Sequence, residues 1–136
     1  METVAIDLGE RSYEIKIGAG ILYNLGTYMQ ELEIGSKVLM ITNPLVDSLY
    51  GAKAQTAIAE AGFEVSKAVI PDGEKYKSLS TAEDLYDHAV RANLDRTSSI
   101  VALGGGVVGD IAGFIAASFM RGINFIQVPT TILAQV

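Results

Sequence analysis

The chain has 136 residues, of which 49% are hydrophobic, no cysteine, and a formal net charge of -6 from 10 basic and 16 acidic residues. This size suits one domain with a core that needs no covalent cross-links. The absence of cysteine excludes disulfides and thiolate metal ligands and favours a cytoplasmic location. The acidic balance argues against a nucleic-acid surface. The most apolar stretch, residues 111–120, is far shorter than a membrane span of roughly 18 residues, so we expect no membrane association.

The hydrophobic pattern predicts an antiparallel hairpin followed by an α/β layer domain. Alternation in residues 4–8 and 13–17 gives the hairpin. Four helical patterns then alternate with four β-rich runs, with helices at residues 21–33, 45–61, 81–93 and 107–120 and strands at residues 37–41, 64–69, 99–103 and 124–128. Repeated alternation of this kind predicts parallel strands joined by crossover helices. Residues 131–136 form another apolar, helix-like run with no stop signal, so we expect the chain to be cut there and a second domain to be missing.

Local residue chemistry predicts several element boundaries. Gly35 and Gly62 each follow a helical pattern, and we expect both to end it in the left-handed conformation. Asn43 is expected to cap the helix that begins at Pro44.

A glycine-rich turn lies between a predicted buried strand and a predicted helix. Gly104, Gly106 and Gly109 satisfy the spacing G-x-G-x-x-G in that context. Such a turn brings backbone N–H groups and a helix N-terminus against a pyrophosphate. The alternative is that small residues merely allow close packing, since Gly109, Gly113 and Ala117 share one helical face.

The residues after the turn depart from the ordinary dinucleotide pattern. That pattern places an acidic residue roughly 20 positions on to hold the ribose, yet no Asp or Glu follows Asp110. The ribose contacts must therefore come from elsewhere. Asp110 would repel a phosphate, so we expect it to meet a hydroxyl or the nicotinamide side of the ligand.

Polar side chains also follow the other predicted strands. In residues 71–78, Glu74 could accept hydrogen bonds from ribose hydroxyls and Lys77 could donate to ribose or phosphate oxygens; the alternative is a solvated turn. Pro129 precedes two threonines, and Thr42 with Asn43 follows the first parallel strand; in both places helix capping is the alternative. Four strand ends therefore carry polar groups at one predicted rim, where parallel sheets bind ligands.

Two further residues have mainly structural interpretations. Arg121 follows the apolar helix, where a cation complements the negative end of the helix dipole. His88 is the only histidine, one helical turn after Asp84, and the two could form a pair. The acidic residues near His88 have no spacing specific to a metal site, and we assign neither metal ligands nor catalytic residues.

Three ordered motifs carry a family resemblance. Residues 71–78, residues 102–114, and Arg121-Gly122 with residues 125–136 closely resemble the 3-dehydroquinate synthase family of sugar phosphate cyclases, and the likeness runs from residue 8 to residue 136. It implies a Rossmann-like parallel sheet with flanking helices, and a helical C-terminal domain that this sequence lacks. It also implies an NAD site lined by Thr42, Asn43, Asp72, Gly73, Glu74, Lys75, Tyr76, Lys77, Gly105, Gly106, Val107, Val108, Gly109, Asp110, Thr130 and Thr131.

The resemblance further implies a reaction and its partners. The family converts 3-deoxy-D-arabino-heptulosonate 7-phosphate to 3-dehydroquinate and phosphate in the shikimate pathway, with a ring alcohol transiently oxidised by NAD. Arg121 matches an arginine that contacts substrate phosphate, across a homodimer. The divalent metal, zinc or cobalt, is held by a glutamate and two histidines outside this sequence, so we expect the chain alone to be inactive. The alternatives are another sugar phosphate cyclase, a metal-dependent alcohol dehydrogenase of related fold, or a non-catalytic nucleotide-binding module.

Overall fold

The computed structural model describes residues 1–136 and contains one parallel sheet of four strands. The strands are β3 (Lys37–Thr42), β4 (Glu64–Val69), β5 (Ser99–Gly104) and β6 (Asn124–Pro129). Their spatial order is β4-β3-β5-β6, and every pairing is parallel. The α/β sheet predicted from the alternating pattern is therefore confirmed.

Helices cover both faces of this sheet. On one face, α4 (Leu79–Arg91) and α5 (Gly106–Ser118) share a core with Leu39, Ile41 and Ile100. On the other face, α1 (Leu25–Gln30) and α3 (Ala52–Glu60) pack on the side chains of β3 and β5 that point the opposite way. The chain leaves β3 toward one face and β5 toward the other, so a crevice lies between their carboxyl ends. Ligands bind at such switch points in open α/β sheets.

The predicted hairpin is also present, as a separate two-stranded sheet. It consists of β1 (Glu2–Ile6) and β2 (Tyr13–Ile17), paired antiparallel with Val4 opposite Ile15. The apolar alternation places the valine and isoleucine side chains on one face of the hairpin.

Two of the three predicted boundary features are confirmed. Asn43 caps α2 (Pro44–Val46), since its Oδ1 accepts the Val46 N–H at 2.9 Å. Gly62 has a φ of 98° directly after α3. The prediction for Gly35 is wrong, because α1 ends at Gln30 and Gly35 does not have a positive φ. Gly35 instead allows close approach to Thr97, whose hydroxyl a β-carbon at Gly35 would strike.

Several predicted helices differ from the observed ones at their ends. The first is divided into a 3₁₀ turn (Ile21–Asn24) and α1. The second contains a π-helical segment (Asp47–Gly51) between α2 and α3. Residues 131–136, expected to be helix-like, form only a 3₁₀ turn (Leu133–Gln135), with Ile132 and Leu133 about four-fifths exposed. Without a buried face, an apolar pattern does not stabilise a helix.

All helices of this chain are too short or too polar to cross a lipid bilayer.

Candidate functional site

The glycine-rich turn connects a fully buried strand to a helix. Every residue of β5 is buried, and α5 begins at Gly106 immediately after it. The first intrahelical bond is donated by Gly109 N–H to the Gly105 carbonyl at 3.0 Å. The backbone N–H groups of Gly106, Val107 and Val108 therefore have no acceptor within the helix, as expected of a helix N-terminus. This turn leaves three donors without an acceptor at the carboxyl end of the sheet; Gly106 and Val107 are partly exposed, and Val108 is buried.

The glycines of the turn have different surroundings. A β-carbon at Gly104 would lie 2.8 Å from the Val108 side chain, and one at Gly105 would lie 3.2 Å from Thr131 Cγ2. A β-carbon at Gly106 would meet no atom within 4 Å. Close packing therefore explains Gly104, as the structural alternative predicted for the glycines of this pattern, and it also explains Gly105. It does not explain Gly106, which faces open space beside the free N–H groups.

The end of β6 lies against the same turn. Thr130 N–H donates to the Gly104 carbonyl at 3.0 Å, which extends the β5–β6 pairing past the strands. Thr131 Oγ1 accepts from the Ala134 N–H at 3.2 Å. The Thr131 hydroxyl therefore makes the kind of capping bond that the sequence allowed for. Its methyl group packs beside Gly105.

A salt bridge joins the loop after β4 to the first turns of α5. Lys77 Nζ lies 2.7 Å from Asp110 Oδ2 and 3.3 Å from Glu74 Oε2. Hydrogen bonds to Asp110 and then to Glu74 raise the pKa of Lys77 above its ordinary value. The sequence assigned each of these three residues to the same rim but missed that Lys77 neutralises Asp110. Their opposite charges were the available signal.

The remaining residues of the loop differ in where their side chains lie. Gly73 has a φ of 114°, which a residue with a β-carbon rarely adopts, and it permits the 3₁₀ turn Glu74–Tyr76. Asp72 is exposed. Lys75 and Tyr76 line a cleft against α4 that Glu74, Lys77 and Asp110 do not line. The loop therefore directs Glu74 and Lys77 toward Asp110, and Lys75 and Tyr76 toward the cleft against α4.

Thr42 and Asn43 lie at the carboxyl end of β3, on the other side of the crevice. Thr42 is fully buried, and its Oγ1 has no hydrogen-bond partner. Asn43 uses its Oδ1 to cap α2. The capping role is therefore observed for Asn43, and its amide nitrogen is the polar atom that stays available.

Arg121 lies in a strained turn after α5. Met120 and Arg121 have φ values of 50° and 67°, and Gly122 follows at 116°. Left-handed backbone is unfavourable for residues with a β-carbon, and such strained residues cluster at active sites, ligand clamps and switch regions. Arg121 is exposed and makes no salt bridge within the chain. The sequence had placed this residue at the end of the helix, but α5 ends at Ser118, so the dipole interpretation is weakened.

The structure holds no cluster of metal-ligating side chains. No group of three His, Asp or Glu residues is close enough to hold an ion. The predicted pairing of His88 with Asp84 involves the backbone, because His88 Nδ1 lies 2.9 Å from the Asp84 carbonyl oxygen.

Comparison with known proteins decides the family. Residues 67–136 match the sequence profile described as 3-dehydroquinate synthase N-terminal. The chain belongs to this family. It is 62% identical over 136 residues to a 3-dehydroquinate synthase from Pelotomaculum thermopropionicum and 53% identical over 136 residues to one from Desulforamulus reducens. It spans 37% and 38% of the lengths of these two relatives.

Solved structures of sugar phosphate cyclases share the fold. A 2-deoxy-scyllo-inosose synthase complexed with carbaglucose-6-phosphate, NAD⁺ and Co²⁺ has a TM-score of 0.88 and 32% identity, over 98% of this chain and 36% of that one. ValA, a 2-epi-5-epi-valiolone synthase from Streptomyces hygroscopicus with NAD⁺ and Zn²⁺ bound, has a TM-score of 0.76 and 27% identity, over 93% of this chain and 34% of that one. The Rossmann-like architecture expected from the sequence is thereby confirmed.

Proposed function

We propose that this chain is the NAD-binding domain of an enzyme that converts 3-deoxy-D-arabino-heptulosonate 7-phosphate to 3-dehydroquinate and phosphate, in the shikimate pathway. One observation carries the proposal. Open space at Gly106 adjoins three free backbone N–H groups, in a chain that is 62% identical to a 3-dehydroquinate synthase. The cyclase neighbours with NAD⁺ bound support the choice of ligand.

The first turn of α5 fits the pyrophosphate of NAD. The N–H groups of Gly106, Val107 and Val108 lack intrahelical acceptors, and the helix adds a partial positive charge at this end. A side chain at position 106 would occupy the space that a phosphate needs. Gly109 completes the turn by donating to Gly105.

Side chains around the turn fit the remaining parts of the dinucleotide. Glu74 supplies acceptors for ribose hydroxyls, and Lys77 supplies a donor. Because Lys77 already bonds Asp110 at 2.7 Å, the carboxylate charge is offset and does not repel the phosphates. Asp110 is then available to the nicotinamide side.

The other predicted contacts form two sets around this crevice. Thr130 and Thr131 follow β6 at this crevice, and we propose that Asn43 lies toward the adenosine half. Thr42 precedes it but is fully buried, so we propose no direct contact between Thr42 and the ligand. Family resemblance also implies NAD contacts at Asp72, Gly73, Lys75, Tyr76 and Gly105. Because Lys75 and Tyr76 line the cleft against α4, we propose direct contacts only for Asp72, Gly73 and Gly105.

Bound NAD supplies transient oxidation of a substrate alcohol, and this chain supplies binding and orientation. Positioning the nicotinamide against the reacting carbon is the protein's main contribution in such chemistry. The chain offers no metal-ligand cluster, so we propose that zinc or cobalt binds outside these residues. The chain alone should therefore bind NAD without turning over substrate.

Three further assignments belong to the same proposal. The unpaired, strained Arg121 contacts substrate phosphate, as the family resemblance implies, and the enzyme acts as a homodimer. A cytoplasmic location agrees with the absence of cysteine. The net charge of -6 argues against nucleic acid as a partner.

The proposal is tested by joining this chain to the remaining part of the Pelotomaculum thermopropionicum relative. We expect the chimera to release phosphate and to form 3-dehydroquinate, identified by mass spectrometry, while the 136-residue chain alone does neither. An Arg121→Gln chimera should raise the KM for the phosphorylated substrate. A different cyclic product would identify another sugar phosphate cyclase, and turnover by the chain alone would contradict the metal assignment.

A further inference from the structure

A second cleft lies between the end of β4 and the polar side of α4. Its volume is about 560 Å³, and its lining includes Lys75, Tyr76, Asp84, His88 and Arg91. No residue of the glycine-rich turn, and neither Glu74 nor Lys77, contributes to it. Lys75 and Tyr76, which the family resemblance grouped with the NAD site, line this cleft instead. The cleft is therefore distinct from the crevice formed by the glycine-rich turn, Glu74 and Lys77.

The helical side of the cleft includes a row of three ionisable residues. Asp84, His88 and Arg91 follow one another at spacings of four and three, which places them on the same face of α4. Leu85 and Ala89 are buried in the core and fix the orientation of the helix. The amphipathic pattern thus holds this polar row against the cleft.

The cations that line the cleft have no charged partner within the chain. Lys75 and Arg91 form no salt bridge, although the chain carries a net charge of -6. Lys75 Nζ lies 5.1 Å from the centre of the Tyr76 ring, and both residues line the cleft. An arginine guanidinium suits bidentate binding of phosphate or carboxylate.

The cleft also presents hydrogen-bond acceptors. His88 Nδ1 lies 2.9 Å from the Asp84 carbonyl oxygen. A carbonyl oxygen can only accept, so Nδ1 carries the proton and Nε2 of the neutral ring is left as an acceptor. The carboxylate of Asp84 is a second acceptor, so a bound molecule must offer donors as well as negative charge.

We infer that this cleft binds a small hydroxylated anion, in which a phosphate or carboxylate group meets Lys75 and Arg91 and hydroxyl groups donate to His88 and Asp84. The loop links this site to the NAD crevice, because adjacent residues of the 3₁₀ turn Glu74–Tyr76 belong to the two sites. Glu74 lies at the crevice, and Lys75 lines the cleft. Ligand in the cleft should therefore alter NAD affinity, an effect that rests on the proposed function.

The direct test is an NMR titration of the ¹⁵N-labelled chain at constant ionic strength. The probes are glycerol 3-phosphate, methyl phosphate and glycerol. We expect saturable shifts at the amides of Lys75, His88 and Arg91, with glycerol 3-phosphate binding several-fold more tightly than methyl phosphate and glycerol not binding. Equal affinity for the two phosphates would overturn the role of the hydroxyl acceptors, and shifts that do not saturate would overturn the site.

Variants separate this site from general charge effects and from the NAD crevice. The double variant Lys75→Gln with Arg91→Gln should bind glycerol 3-phosphate at least about tenfold more weakly, since charge-assisted contacts are lost. Arg96→Gln is the control, because it removes an exposed cation that does not line the cleft. Unchanged binding by a folded double variant would contradict the site. Complete, competitive displacement of glycerol 3-phosphate by NAD would contradict a separate site, whereas two linked sites change each other's affinity only by a finite factor. If the chain binds glycerol 3-phosphate in the cleft but does not bind NAD, the proposed function is contradicted and the cleft site is not.

Discussion

The turn at residues 104–110 and the loop at residues 72–77 lie at the same edge of the sheet but are built differently. The turn follows a fully buried strand, and its backbone provides the donors. The loop is mostly exposed, and its side chains provide the polar groups. The Lys77–Asp110 salt bridge is the contact that joins them.

This difference indicates how the two regions divide the work. Backbone donors held by a buried strand are fixed before a ligand arrives, which lowers the cost of binding. Exposed side chains adjust, and an exposed ion pair contributes little to stability. We therefore expect changes in the turn to affect folding or binding strongly and changes in the loop to affect binding moderately.

The largest expected effect on the free energy of unfolding comes from an alanine substitution in the turn, and a second substitution two residues away is its control. Gly104→Ala places a methyl group 2.8 Å from the Val108 side chain and should lower the free energy of unfolding by about 1–3 kcal/mol, as overpacking does. Gly106→Ala places it in open space and should leave the stability within about 1 kcal/mol of wild type. Urea unfolding measures both, and equal losses would contradict the different roles assigned to these glycines.

Removing the cation that joins the two regions should have the next largest effect. Lys77→Met takes a donor from NAD and leaves the charge of Asp110 uncompensated near the phosphates, so NAD affinity should fall about tenfold. Lys53→Met, an exposed lysine on α3, serves as the matched control. Isothermal titration calorimetry measures the NAD affinity of both variants. Similar affinities for the two variants would contradict a contact between Lys77 and NAD.

Glu74→Gln should weaken NAD binding less than Lys77→Met. The Glu74 side chain is 79% exposed and lies 3.3 Å from Lys77, and an amide keeps one oxygen acceptor for a ribose hydroxyl. We expect a loss of only a few-fold, on the order of one neutral hydrogen bond. The same calorimetry measures this loss. A larger loss of NAD affinity for Glu74→Gln than for Lys77→Met would show that Glu74 contributes more to NAD binding than Lys77 does.

The opposite end of the sheet provides the control with the smallest expected effect on NAD. Asp95 precedes β5, and its carboxylate accepts from the Thr97 hydroxyl at 2.6 Å and from the Thr97 N–H at 2.8 Å. These bonds hold the pKa of Asp95 below its ordinary value. A lowered pKa stabilises the fold above the ordinary value and loses that contribution as pH falls through the folded-state value.

Asp95→Asn should therefore reduce stability at neutral pH and flatten the loss of stability in acid, with NAD affinity unchanged. Urea unfolding from pH 7 to pH 2 tests the first part, and calorimetry with NAD tests the second. If the free energy of unfolding falls equally with pH in the variant and the wild type, Asp95 does not cause the loss of stability in acid.

The sequence predicted the parallel sheet and the start of α2 because those features have local signals. Strand and helix alternation required parallel pairing, and Asn43 with Pro44 marked a helix start. The sequence could not predict the strained turn at Met120, because left-handed backbone there has no residue signal. It also could not show that Lys75 and Lys77, two residues apart, serve different places, since the direction of each side chain depends on a short 3₁₀ turn.

The measurement that tests the central claim most directly is an NMR titration of the ¹⁵N-labelled chain with NAD, repeated on Gly106→Ala. We expect saturable shifts at the amides of Gly106, Val107 and Val108 and little change at Thr97 and Ser98, on the opposite end of the sheet. We also expect the folded variant to lose NAD binding. NAD binding by Gly106→Ala with wild-type affinity, or shifts centred away from the first turn of α5, would contradict the claim.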